Sequence, residues 1–372
     1  MKHLSVLIKP ASSLCDMRCK YCFYHDISSL REAKSFGFMK GGVMEKLIDQ
    51  VYLDLDHGDH MSFAFQGGEP TLIGLNFFKQ FVAYINKQIK QVHVSYTIQT
   101  NGLKIDDNWC LFFKENQFLV GLSIDIDPSL HDENRYDVNG QGTYKRVMKT
   151  KALFDEYQVE YNVLSVLTNQ LARHPQKVFN FLLAQKIRYI QFIPCLEELD
   201  TEEPSPFALT PSRFASFYTA LFKLWLKEFS QGNYISIKLF DDLIHLLATG
   251  KPTACGMLGN CKSQYVIEAD GSTYPCDFYV LDEYQIGNIT AQTVFEMARS
   301  TNLNKFLCTN GESKPEYCQK CPFYRMCFGG CKRMRNAIYF NEKESQCGYQ
   351  SFLTQNIEKL TELAQKERLY RM

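Results

Sequence analysis

Short runs in which apolar residues crowd or alternate recur along the first half of the chain, at residues 4–9, 62–66, 93–100, 118–125, 160–167 and 187–193. Each run is followed by a turn signal and then by a longer stretch of different period, which is the pattern of strand, turn and helix. Residues 76–90 show the second period clearly, with Phe77, Phe78, Phe81, Val82 and Ile85 on one side of a helix. Strands that alternate with helices are joined by right-handed crossovers and form a parallel sheet. Six such units predict an α/β fold, an incomplete relative of the (β/α)8 barrel. Chemistry in such barrels sits at the C-terminal ends of the strands. A loop with three cysteines after the first strand, the turn Gln66-Gly67-Gly68-Glu69-Pro70 after the second and Gln99-Thr100-Asn101-Gly102 after the third should therefore converge on one mouth.

Residues 197–211 are acidic and proline-bearing and read as a loop. Thr210-Pro211 then opens a helix that carries Phe214, Phe217, Leu221, Leu224 and Trp225. Beyond about residue 235 the rhythm gives way to cysteine: Cys255, Cys261, Cys276, Cys308, Cys318, Cys321, Cys327, Cys331 and Cys347. A last helical stretch covers 351–371. These changes divide the chain into a barrel at 1–235, a cysteine-rich domain at 236–348 and a C-terminal helix at 349–372.

Length and charge narrow the class. A chain of 372 residues suggests two domains with large cores. Lys plus Arg equals Asp plus Glu at 41 each, which gives no reason to propose nucleic acid or an anionic membrane as a partner. The apolar run near the N-terminus is too short for a signal peptide, and no stretch is long enough to span a bilayer. Fourteen cysteines without an export signal read as metal or redox sites rather than disulfides, and they point to a cytoplasmic enzyme kept from oxygen.

Cys15, Cys19 and Cys22 are spaced C-x3-C-x2-C. Three thiolates can hold three irons of a [4Fe–4S] cubane and leave the fourth open, as a catalytic zinc keeps one position free. An open iron can chelate a small molecule and pass it an electron. The alternative is a zinc knuckle that lacks one ligand. Further on, Cys318-x2-Cys321-x5-Cys327-x3-Cys331 is followed by Cys347 and preceded by Cys255, Cys261 and Cys276. Taken alone, a C-x2-C pair more often means structural zinc. Cys110, in an apolar helix at 107–113, reads as a core thiol.

The first cysteine triad, just after a strand, resembles the radical S-adenosylmethionine (SAM) superfamily, in which the open iron binds the amino and carboxylate groups of SAM. The order of the later cysteines resembles the SPASM domain, a C-terminal extension with two auxiliary [4Fe–4S] clusters. Four stretches are similar to anaerobic sulfatase-maturating enzymes: Leu7-Ile8-Lys9-Pro10-Ala11-Ser12-Ser13, Cys19-Lys20-Tyr21-Cys22-Phe23-Tyr24-His25, Phe63-Ala64-Phe65-Gln66-Gly67-Gly68-Glu69-Pro70-Thr71, and residues 271–282 around Pro275-Cys276-Asp277. The similarity runs nearly end to end. It implies a partial (β/α)6 TIM-like radical SAM barrel with a C-terminal SPASM domain, three [4Fe–4S] clusters and SAM. The implied reaction oxidises one Cys or Ser of a sulfatase to Cα-formylglycine. The implied partners are an unfolded or nascent sulfatase segment of the form Cys/Ser-x-Pro/Ala-x-Arg and a one-electron donor such as ferredoxin or flavodoxin.

The same resemblance implies roles. Cys255, Cys261, Cys276 and Cys331 would hold one auxiliary cluster, and Cys318, Cys321, Cys327 and Cys347 the other. Gly67, Gly68 and Glu69, with Gln66 beside them, match the turn that receives the SAM amino group. Ser123 and Arg135 match positions for its carboxylate and ribose, where an Arg fork suits a carboxylate. Tyr21 and Leu196 match contacts to the adenine. Asp277 matches the general base for the substrate residue, which Tyr24 and Gln66 would face. Each has an ordinary reading too: a tight turn for the glycines, a solvated Arg, a core Leu, a turn or cap for the Asp. One departure stands out. Ile126 and Asp127 occupy positions where the family usually shows Gly-Pro, so this loop is expected to take another backbone path.

In the implied mechanism, SAM cleavage at the first cluster yields a 5′-deoxyadenosyl radical that takes a hydrogen from Cβ of the target. Asp277 takes the thiol or hydroxyl proton, and an auxiliary cluster takes the remaining electron. Two rivals stay open at this level: another peptide modification on the same scaffold, such as thioether crosslinking, and a zinc-stabilised binding module without turnover.

Overall fold

The computed structural model describes residues 1–201, 205–308 and 316–371. Six strands alternate with helices in the first half: β1 (His3–Ile8), β2 (His60–Phe65), β3 (His93–Thr100), β4 (Leu119–Ser123), β5 (Tyr161–Leu167) and β6 (Tyr189–Pro194). The main helices between and after them are α1 (Gly41–Leu53), α2 (Leu75–Ile85), α3 (Asp107–Glu115), α4 (Tyr144–Tyr157), α5 (Pro175–Ala184) and α6 (Pro211–Ser230). Then come β7 (Ser236–Ile237), α7 (Lys238–Thr249), β8 (Val266–Ile267), β9 (Ser272–Tyr274), β10 (Gly287–Asn288) and α8 (Gly348–Arg371). The α/β alternation is the expected one. Contacts divide the chain into two units: residues 1–123, 132–161 and 263–308, and residues 124–131, 162–262 and 309–372.

In the first unit β1, β2, β3 and β4 pair in parallel and in chain order. His3 lies opposite His60 and Ile8 opposite Phe65, while Phe65 lies opposite Ile98. This even register ends neighbouring strands side by side, so the loops that follow them leave from one edge. Alternation fixes the faces. Met61, Phe63 and Phe65 are buried, and the two phenylalanine rings meet α2, with Phe65 5.0 Å from Phe78 and Phe63 5.1 Å from Phe81. Burying each such ring contributes roughly 1.5–3 kcal/mol. Ser62, Ala64 and Gln66 fall on the opposite face. The buried side of α2 is the expected set of Phe77, Phe78, Phe81, Val82 and Ile85. The helix ends earlier than expected, at Ile85, because nothing covers the next apolar residue: Ile89 is exposed.

Two features of this unit have no signal in the local sequence. The loop after β1 contains a three-residue strand, Met17–Cys19, antiparallel to Arg135–Asp137. Farther along the chain, β8 adds to β1 in parallel, with Val266 opposite Leu7 and Ile267 opposite Ile8, and β9 and β10 follow antiparallel.

In the second unit β6 pairs in parallel with β5, from Val163 opposite Ile190 to Leu167 opposite Pro194, and with β7. Thr210 caps α6 by accepting from the Arg213 N–H at 3.4 Å. Helices α6, α7 and α8 share a core in which Phe240 lies 4.9 Å from Phe222 and 6.2 Å from Phe352. The expected final helix starts earlier, at Gly348, where a side chain would strike the Pro211 carbonyl. The described residues between 197 and Thr210 form neither helix nor strand, as the loop reading expects, and residues 202–204 lie outside the described residues.

At the departure from the family pattern, neither Ile126 nor Asp127 takes a positive φ. Instead Asp127 accepts from the N–H groups of Ser129 at 2.9 Å and Leu130 at 3.2 Å, so it caps the helix Pro128–Asn134, and it pairs with Lys177. Against its burial, the ammonium and these bonds hold the Asp127 carboxyl down at about 2. No helix among the described residues is long and apolar enough to cross a membrane.

Candidate active site

The loops at the C-terminal edge of the first unit's sheet bring together most of the expected residues. Cys15, Cys19 and Cys22 lie on the loop after β1, and none of them is in a disulfide. The Cys15 Sγ accepts from the Met17 N–H at 3.4 Å and faces the Asn101 amide at 3.9 Å. Such donors suit a thiolate. Burial, and then the nearby Glu69 carboxylate, push the Cys15 thiol well above its usual range. A metal would compensate that cost, because a coordinated thiol is deprotonated. Three thiols on one loop, with N–H donors already at the Cys15 sulfur, are the donor set that an iron-sulfur cluster takes.

The Gly67–Gly68 turn closes on this loop. Gly67 has φ +91° and Gly68 φ +48°. A Cβ at Gly68 would stand 2.3 Å from the Leu14 carbonyl oxygen, and one at Gly67 would stand 2.4 Å from Lys9 Cε. Only glycine fits such close backbone approach. The next N–H, of Glu69, donates to the Leu14 carbonyl at 2.8 Å. The buried Glu69 carboxylate is well occupied. Its Oε1 accepts from Thr71 N at 3.0 Å, Thr71 Oγ1 at 2.5 Å and Thr100 Oγ1 at 2.8 Å, and its Oε2 from Asn101 N at 2.7 Å. It therefore ties the turn after β2 to the turn after β3. Burial pushes its pKa up, against these bonds. One lone pair on Oε2 is left for a further donor.

Arg135 sits opposite Cys19 in the short antiparallel pair. Its Nε donates to the Tyr21 hydroxyl at 2.8 Å. Ser123 is buried at the end of β4. Leu196 is half-buried just after β6, in the second unit.

Tyr24, Gln66 and Asp277 converge although 253 residues separate the first from the last. The Tyr24 hydroxyl donates to Asp277 Oδ2 at 2.6 Å. The Gln66 amide donates to the Tyr24 oxygen at 2.7 Å and reaches the same Oδ2 at 3.2 Å. Asp277 is only 5% exposed, and its Oδ1 has no hydrogen-bond partner. Burial pushes the carboxyl above its ordinary pKa, while the Lys9 ammonium and the Tyr24 hydroxyl pull it back. The addition of β8 to β1 explains the meeting: Lys9 N donates to the Ile267 carbonyl at 2.8 Å, and Asp277 follows a few residues later.

Sequence reasoning did not single out the charges behind this triad. Glu268 is fully buried and accepts from Lys9 at 2.9 Å and from Arg31 at 2.7 Å. The signal that could have raised Lys9 is its place directly after an apolar strand, where a lysine must find a partner or water.

In the second unit the cysteines fall into groups. Cys327 and Cys347 lie close enough to each other and to Cys318 and Cys321 to interact, and burial pushes both of their thiols up to about 11. Separately, Cys255 senses Cys331 and Cys261. Cys276 belongs to the first unit, between β9 and Asp277. Gly256, at φ +77°, lets the backbone pass Cys331, since a Cβ there would be 2.7 Å from that residue's Cβ. Cys110 and Cys195 are buried.

Comparison with known proteins adds the family. Residues 10–182 match the model of the radical SAM superfamily, and residues 255–322 match an iron-sulfur cluster-binding domain, SPASM. A cysteine-type anaerobic sulfatase-maturating enzyme of Clostridium novyi (strain NT) is 42% identical over 98% of both chains. A serine-type enzyme of Bacteroides thetaiotaomicron is 31% identical over 90% of this chain and 84% of its own. A solved structure described as native anSMEcpe with bound AdoMet and Cp18Cys peptide superposes with a TM-score of 0.89 at 39% identity, covering 98% of this chain and 99% of that one.

Proposed function

We infer the function from one premise: the chain belongs to the anaerobic sulfatase-maturating enzymes of the radical SAM superfamily. It is a radical SAM peptidyl oxidase that converts a sulfatase residue to Cα-formylglycine. Cysteine is the proposed target, since identity is 42% to a cysteine-type relative and 31% to a serine-type one.

The observation that carries the assignment of roles is the Asp277 carboxylate, buried with one oxygen held by Tyr24 and Gln66 and the other unpartnered. When bound, the clusters and SAM supply a 5′-deoxyadenosyl radical that takes a hydrogen atom from Cβ and an auxiliary cluster that accepts one electron. Asp277 Oδ1 receives the thiol proton of the substrate, which leaves a thioaldehyde that water converts to the aldehyde with release of hydrogen sulfide. Tyr24 and Gln66 fix the direction of Oδ1 and face the substrate residue. Cys15, Cys19 and Cys22 hold the open cluster. Cys318, Cys321, Cys327 and Cys347, and Cys255, Cys261, Cys276 and Cys331, are the auxiliary ligands. The Gly67–Gly68 turn and the free lone pair of Glu69 receive the SAM ammonium. Ser123 and Arg135 take its carboxylate and ribose, Tyr21 the adenine, and Leu196 keeps the adenine contact implied by family membership.

A cytoplasmic setting and a one-electron donor such as ferredoxin or flavodoxin suit this chemistry. The test is mass spectrometry after anaerobic incubation with SAM, reductant and a Cys-x-Pro-x-Arg peptide. Formylglycine with one 5′-deoxyadenosine per product is expected; a thioether crosslink, or no change in the peptide, overturns the reading.

A further inference from the structure

We propose that Lys9 is a positioning residue for the substrate step: held by Glu268, which Arg31 anchors, it fixes the Tyr24 ring and through Tyr24 the Asp277 carboxylate. The proposal rests on Asp277 as the base. Lys9 is 2% exposed, and its Nζ pairs with Glu268 Oε1 at 2.9 Å while standing 5.1 Å from the centroid of the Tyr24 ring. Its stem occupies the space that a side chain at residue 67 would need. One side chain thus touches the Gly67 turn, the Tyr24 ring and the buried carboxylate.

Glu268 cannot drift, because Arg31 Nη1 donates to the same oxygen at 2.7 Å. The Arg31 guanidinium lies 4.9 Å from the centroid of Phe36 and 5.6 Å from that of Tyr274. The arrangement is a poor device for stability. Buried ion groups often contribute no more than apolar residues of the same volume. Here the Arg31 Nε and Nη2 are also buried without a hydrogen-bond partner, which costs further free energy. What the cluster does supply is a rigid, charged back wall for a tyrosine whose hydroxyl must hold one oxygen of Asp277 and leave the other toward the substrate. An apolar residue could fill the same space without fixing the ring by cation–π attraction.

The test uses the holoenzyme with Lys9→Met, which keeps the stem and removes the charge, and with Lys9→Arg, which keeps the charge. Iron per chain, SAM Kd and peptide Kd without reductant are measured beside 5′-deoxyadenosine and formylglycine. In Lys9→Met the ratio of formylglycine to 5′-deoxyadenosine should fall about ten- to a hundredfold, the scale at which a misplacement of about 1 Å acts. Iron and both Kd values should hold, and Lys9→Arg should regain most of the ratio. In a Tyr24→Phe background, Lys9→Met should add less than about twofold, because residues acting through one another are not additive. An unchanged ratio in Lys9→Met, or an equal fall in the Tyr24→Phe background, overturns the proposal. So does a loss of iron, SAM affinity and product together at constant ratio, which marks a structural role. If Lys9→Met does not accumulate folded, Glu268→Gln takes its place with the same readouts, and an unchanged ratio there is equally fatal. A wild-type enzyme that makes 5′-deoxyadenosine but no formylglycine is a separate failure: it overturns the reading of the reaction itself.

Discussion

The mouth of the first unit and the cysteine-rich end of the second are held in different ways. At the mouth, four parallel strands end together and the loops are locked by bonds of protein to protein: Glu69 to Thr71, Thr100 and Asn101, Tyr24 to Asp277, and Lys9 and Arg31 to Glu268. In the second unit the described residues from Glu316 to Cys347 form only helices of three or four residues and strands of two. Such pieces bury little on their own. Glycines at positive φ, Gly256, Gly259 and Gly330, let the backbone crowd the cysteines and Tyr339. One region is held by contacts of its own, and in the other, built of such short pieces, ligated metal would add the most to the fold, as it does in small metallo-domains.

Breaking the first cysteine triad should have the largest effect. With Cys15, Cys19 and Cys22 all changed to Ala, about one third of about twelve irons from three cubanes is lost, and SAM cleavage with it. Iron assay and 5′-deoxyadenosine measurement check this, and retained cleavage would refute the assignment of the open cluster. By contrast, Asp277→Asn should keep iron and SAM binding and still lose formylglycine by on the order of 10²-fold or more, the scale of a positioned base. Near-wild-type product from that variant would remove Asp277 from the reaction.

Chelation sharpens the comparison between regions. After removal of iron, hydrogen exchange should rise across residues 316–347 and stay slow in β1–β4; equal protection in both would show that the second region needs no metal. Single glycines give a smaller version of the same contrast. Gly330→Ala puts a Cβ 2.1 Å from the Tyr339 ring, whereas Gly140, at φ +73°, has nothing within 4 Å of its position. Gly140→Ala should then cost only the backbone strain of about 1–2 kcal/mol, while Gly330→Ala also lowers iron per chain. The smallest effect belongs to the cap at Asp127: Asp127→Ala should cost about 1 kcal/mol in thermal melts, and Asp127→Asn less, because the amide oxygen can still accept from Ser129 and Leu130.

Some of this was legible locally. The face of α2 and the burial of Cys110 follow from periodicity, because a helix or strand repeats its contacts every few residues. The glycines of the Gly67–Gly68 turn were legible as a need for close approach, though not what approaches: the Leu14 carbonyl and the Lys9 stem. The loss of the last turn expected for α2 was not legible, since it depends on whether anything covers Ile89.

The α/β alternation, the three thiols on one short loop and the family were all readable from the chain alone, because each is written in neighbouring residues. It took the folded chain to show that β8 adds to β1, that Arg135 lies opposite Cys19, and that Tyr24, Gln66, Asp277, Lys9, Arg31 and Glu268 meet. The physical reason is range. Strand pairing and buried charge balance join residues hundreds of positions apart, and no local period encodes which distant carboxylate a buried lysine will find.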